Sequence, residues 1–89
     1  MPEPLPCTIL LFAGVAESAG VRQIAATFTP GAPAGVAWEL LAKHSPAAAA
    51  AAAQWRSGAV LAVNERLVPA STPLAAGDVV AIMPPASGG

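Results

Sequence analysis

A single cysteine, Cys7, excludes an internal disulfide and a multi-cysteine zinc site. One histidine, His44, and no tyrosine leave little material for a catalytic constellation. The five acidic residues are scattered, with no pair spaced as a general acid and base. The dinucleotide pattern GxGxxG and the phosphate-cradling P-loop pattern are both missing. Charge is scarce: four basic and five acidic side chains give a net charge of −1. Nucleic acid would require a basic face, and none is present; blocks of like charge that make acidic or basic tails are absent too. The longest alanine-rich run, residues 46–53, is too short to span a bilayer. The opening MPEPLPCTILLFAGVAESAG has the outline of a signal peptide. It lacks a basic leader, however, and carries Glu3 and three early prolines. A cytoplasmic protein with no nucleic-acid or membrane partner, and no metal, is expected.

What is present is apolar. Of 89 residues, 55% are hydrophobic, but much of that is alanine, so a single domain with a modest core is expected. Apolar runs and breakers predict strands over residues 8–13 and 22–28, with Gly14 opening a turn after the first. TPGAPAG separates these from a helix over residues 36–43, on which Trp38, Leu41 and Ala42 share a face and His44 meets the terminal carbonyls. Ser45-Pro46 reads as an N-cap followed by proline at the first helical position, and the alanines that follow predict a second helix over residues 46–55. A strand over residues 59–63, a turn at Asn64-Glu65, a short return at Leu67-Val68 and a last strand over residues 79–83 complete the chain. The order predicts an α+β domain: a mixed sheet of 4–5 strands with two helices packed on one face. The first, third and last strands are apolar on both faces, as in doubly buried strands. Two short helices can cover one side only. Phe12, Met83 and other large apolar groups are therefore expected to face outward, as a surface for a protein partner.

The chain finishes with Pro84-Pro85-Ala86-Ser87-Gly88-Gly89. Two prolines stiffen the exit from the last strand, and glycines without Cβ atoms suit a narrow tunnel. Six residues reach about 20 Å, enough to enter a buried site in another protein. The one reactive group this tail offers is the α-carboxylate of Gly89, an anion at neutral pH and hence a poor electrophile. It becomes reactive only if activated, for example as an acyl-adenylate that a sulfur nucleophile then displaces.

Three segments carry a family resemblance: LLFAGVAESAG, VNERLVPASTPLAAGDVVAIMPP and PPASGG. Together they resemble the small subunit of molybdopterin synthase, a ubiquitin-like β-grasp sulfur carrier, over nearly the whole span from residue 8 to 89. The early prolines and Glu3 read as a short flexible extension at residues 1–6, and the resemblance implies a β-grasp domain at 7–83 and an extended tail at 84–89. It also implies that the chain binds no cofactor itself. A ubiquitin-activating-like adenylyltransferase would use Mg-ATP to adenylate Gly89, and a sulfur donor protein would supply sulfur to form a thiocarboxylate. The large synthase subunit, in a heterotetramer, would take in the tail (Pro84, Pro85, Ser87 and Gly88) and let Gly89 donate sulfur to a pyranopterin precursor. Phe12, Leu67 and Met83 fall where the family places apolar contacts to that subunit. There are two departures. Ala16 stands where the family often has an arginine before Glu17, and Met83 stands where an aromatic is common, although a thioether fills a similar pocket.

Two other readings remain open at this level. A carrier of the same fold could feed thiamine, tRNA thiolation or cysteine synthesis. A non-catalytic ubiquitin-like interaction module would use the apolar face and leave the glycines inert. An enzyme built on Cys7 or His44 would need partner groups that the sequence does not supply.

Overall fold

The structure is a computed structural model that describes residues 3–85; Ser87, Gly88 and Gly89 of the expected site lie outside the described residues. The elements are β1 (Leu5–Leu11), α1 (Ala13–Ala19), β2 (Gln23–Phe28), α2 (Val36–His44), α3 (Pro46–Trp55), β3 (Val60–Val63), β4 (Arg66–Val68) and β5 (Val79–Met83). The strands form one mixed sheet in the order β2-β1-β5-β3-β4. Its centre is the parallel pair β1 and β5, with Ile9 opposite Val80 and Leu11 opposite Ile82. The neighbours β2 and β3 run antiparallel to that pair.

Strand alternation sorts the residues to two faces. On one face Cys7, Ile9 and Leu11 of β1, Ile24 and Phe28 of β2, and Val80 and Ile82 of β5 are buried in a single core. Val15 of α1, Trp38 and Leu41 of α2, and Ala48 and Ala51 of α3 close that core from above. Among the described residues the helices therefore all lie on one side of the sheet, and they number three where the sequence predicts two. The additional helix, α1, occupies the segment expected to be a turn. It ends at Gly20, whose φ of 77° is left-handed and whose N–H donates to the Ala16 carbonyl. Gly14 is needed inside α1, because a Cβ there would sit 2.7 Å from the Trp55 ring of α3. The Trp55 indole N–H in turn donates to Ser18 Oγ at 3.3 Å.

The first strand also starts earlier than expected. Leu5 and Pro6, placed by the sequence in a flexible extension, pair with Phe28 and Thr27. Pro6 is tolerated because its nitrogen side faces β5 beyond the start of the parallel ladder at Thr8 and Val79. Its carbonyl on that side accepts from Gly77 N–H at 2.8 Å. The Ser45-Pro46 start is as expected: Ser45 Oγ accepts from Ala48 N–H at 3.0 Å, and Pro46 opens α3. Ala48 and Ala51 are fully buried, so their small size lets α3 lie close to its neighbours.

The connection from β4 to β5 is docked against the start of α2. Ala34 N–H donates to Thr72 O, Gly35 N–H to Ala70 O, and Leu74 N–H to Ala32 O. Leu74 is buried in the same core.

Candidate functional site

The helix-free face of the sheet is the candidate site. Leu10 of β1, Ala62 of β3, Leu67 of β4, and Val79, Ala81 and Met83 of β5 line a groove of about 590 Å³ there. Phe12, just past β1, closes one end. Three large hydrophobics are exposed among the described residues: Phe12 at 45%, Val60 at 38% and Leu67 at 72%. Val60 pairs with Met83 and so shares this face. The face contradicts the doubly buried reading of the central strands and fulfils the outward-facing one. Phe12, Leu67 and Met83, which the family resemblance named together, line the same groove.

The groove adjoins the root of the tail. Phe12 N–H donates to the Ile82 carbonyl at 3.2 Å, extending the β1–β5 ladder by one step. Met83 follows directly, then Pro84, half-buried, and Pro85, exposed. A partner seated over Phe12 and Met83 therefore meets the chain where Pro84 leaves the sheet.

At the opposite end a side-chain clamp holds the rim. Asn64 and Glu65 both take left-handed φ, 51° and 71°, in the two-residue turn between β3 and β4. Asn64 Oδ1 accepts from Val79 N–H at 3.0 Å, and Asn64 Nδ2 donates to Asp78 Oδ1 at 3.0 Å. Asp78 Oδ2 also accepts from Ala75 N–H at 2.8 Å. These contacts give LAAGD a physical meaning: Leu74 is the buried anchor, Gly77 turns at φ 84°, and Asp78 ties the turn to Asn64.

The two residues weighed as nucleophile or base are placed apart from this face. His44 is exposed at the end of α2. Cys7 is buried on the helix side of β1. Burial pushes the Cys7 thiol up, and the Asp78 carboxylate adds to the effect, the opposite of what a reactive thiolate needs. Both folded and unfolded states hold the thiol proton below about pH 8.5; above it the unfolded chain releases that proton first, so stability falls as pH rises. Denaturation followed against pH is expected to show this alkaline loss in the native protein and not in Cys7→Ala. Ala16, the departure from the family's arginine, is buried against the core in α1, so no polar contact arises from that position.

A five-stranded mixed sheet grasping helices on one face, with a free apolar face on the other, defines the ubiquitin-like β-grasp class. The chain belongs to the ThiS family, ubiquitin-like sulfur carriers, whose model matches residues 9–89. No curated protein matches the chain in sequence. Among solved structures it is similar to SAMP1 from Haloferax volcanii, with 28% identity, 94% of this chain and 99% of that chain covered, and a TM-score of 0.76. It is similar in fold to the small archaeal modifier protein 1 from Methanosarcina acetivorans, with 19% identity, 99% and 100% coverage and a TM-score of 0.73. A chain of the complex of subunits 1 and 2 of molybdopterin-converting factor from Helicobacter pylori also shares the fold, with 20% identity, 96% and 100% coverage and a TM-score of 0.64. Among the described residues no helix is long and apolar enough to cross a membrane, and no three metal-ligating side chains cluster.

Proposed function

We propose that this chain is the sulfur-donating small subunit of molybdopterin synthase, with Gly89 as the reacting residue. The observation that carries the proposal is the continuity of the apolar groove with the tail root, where Phe12 bonds to Ile82 and Met83 passes into Pro84. A groove that anchors a partner at the point of exit fixes where the following residues enter that partner. The molybdopterin-converting factor fold match and the PPASGG ending support the choice of pathway.

In the proposed cycle a Gly89 carboxylate oxygen attacks the α-phosphorus of Mg-ATP held by an adenylyltransferase, releasing pyrophosphate. A hydrosulfide equivalent from a sulfur donor protein then attacks the carbonyl carbon, and the bond to AMP breaks. The thiocarboxylate so formed is brought by the groove to the large synthase subunit, where its sulfur bonds to a carbon of the pyranopterin precursor. Water then cleaves the Gly89 carbonyl–sulfur bond, leaving sulfur on the precursor and returning the Gly89 carboxylate. The chain's own contribution is binding and delivery, and it holds no cofactor.

The test is mass spectrometry after incubation with the adenylyltransferase, Mg-ATP and a sulfide source. The expected product has one oxygen replaced by sulfur, on the C-terminal peptide. An unchanged mass with an enzyme competent on another carrier overturns the proposal. A second reading is favoured by the likeness to SAMP1 at 28% identity: activated Gly89 could instead be captured by an amine, as in a protein modifier. Branched peptides joining Gly89 to lysine in cell extracts, without thiocarboxylate, would select it.

A further inference from the structure

We infer that Glu65 is a specificity-determining residue of the docking face, read by a cationic side chain on the protein that receives the tail. The inference rests on the docking role proposed for the groove. Glu65 lines the rim of that groove and, among the described residues, is the one charged residue lining it. It is exposed, and among the described residues the single ion pair is Arg56 with Glu39, which leaves Glu65 unneutralised. Arg66, next in sequence, pairs with Val63 and lies on the helix side of the sheet, whereas Leu67 lies on the groove side.

Local structure does not ask for glutamate here. The second position of this turn has φ 71°, where glycine is the favoured residue after asparagine and a side chain is strained. A charged residue kept at a strained, unpaired position on a binding rim breaks a local rule without local compensation, and such exceptions mark function. The turn is also held rigid, because Asn64 is clamped to Val79 and Asp78. Asp78, which accepts from Asn64 of the same turn, puts a second carboxylate near this end. The groove is thus polarised: acidic at the start of β5, uncharged at Met83 where the tail begins. Four residues of strand separate the two, about 13 Å. The matching partner surface carries an arginine or lysine roughly 13 Å from the mouth that admits the tail, with apolar contacts between.

The test measures affinity for the large synthase subunit at about 0.05 M and 0.5 M salt, for wild type, Glu65→Gln, Glu65→Gly and, as control, Phe12→Asp. At low salt both Glu65 variants are expected to bind about three- to fivefold more weakly. At high salt they are expected to match wild type, because the lost interaction is screened. Glu65→Gly should melt about 3–5 °C higher than wild type, since the turn strain is relieved. A residue with a merely structural role would not move stability and affinity in opposite directions. Wild-type affinity of Glu65→Gln at low salt, with Phe12→Asp unable to bind, overturns the role of Glu65 alone. Undiminished binding of Phe12→Asp as well overturns the docking role beneath it.

Discussion

Phe12→Asp is expected to weaken binding to the large synthase subunit by 100-fold or more while leaving the free domain as stable as wild type. The first half follows from burial. Docking would cover a carboxylate with apolar surface and give it no partner, which costs about 3–5 kcal/mol; at 1.4 kcal/mol per decade that is roughly a 100- to 4,000-fold loss. The second half follows from the position of Phe12 in the chain. Its ring is 45% exposed, so removing it empties little of the core. Its backbone, at φ −125° and ψ 150°, is the N-cap of α1, and no side chain caps that helix. Val15 and Ala16 N–H groups donate to the Phe12 carbonyl. Aspartate is among the preferred N-cap residues, so the variant offers α1 a capping oxygen as it loses the ring. Titration calorimetry and thermal melting on the same sample check both halves. Unchanged affinity would remove Phe12 from the interface.

The sheet was legible because its signals are strong and local. Val79 to Met83 form a run of five apolar residues stopped by Pro84, and Asn64-Glu65 sits between two apolar segments as a hairpin turn should. The Ser45-Pro46 start of α3 was equally clear, since capping chemistry is carried by the residues themselves. Helix α1 was not legible for the converse reason. It has seven residues, begins with Ala13 at φ 50° and contains Gly14, all of which read as a turn. Its signal was the stripe Val15, Ala16, Ala19 followed by Gly20, a helical face with a C-cap, too brief to stand out beside a glycine. Gly14 is explained by tertiary contact alone, the Trp55 ring from a helix some forty residues on. The alanines of α3 have the same kind of origin, since burial of Ala48 and Ala51 between neighbouring elements limits their size.

For the site, the apolar pattern led to Phe12 and Met83 and the family resemblance added Leu67, but Glu65 carries no sequence signal of its own. Its meaning comes from a backbone angle and from the groove it borders. Phe12 and Glu65 share one property. Each occupies a position where the local backbone prefers another residue, a capping side chain in one case and glycine in the other. Both border the same groove, which is where a sequence selected for docking would accept small local losses.

Deleting Gly89, or adding one alanine after it, is expected to abolish thiocarboxylate formation. If the groove fixes where Pro84 leaves the sheet, the position of the terminal carboxyl is set by counting residues from that point. One residue fewer or more displaces it by about 3.3 Å. Misplacement by 1 Å in a reacting geometry already costs on the order of 100-fold, so the loss should exceed detection by mass spectrometry. The same variants keep Phe12, Leu67, Met83 and Glu65, and they should still dock on the large synthase subunit. The deletion variant is therefore expected to compete with wild-type thiocarboxylate for that subunit and to inhibit sulfur transfer, whereas a Phe12→Asp variant lacking Gly89 should not compete. Competition without chemistry separates the groove as the address from the tail as the cargo. Retained sulfur transfer by the extended chain would place the reacting group elsewhere than Gly89.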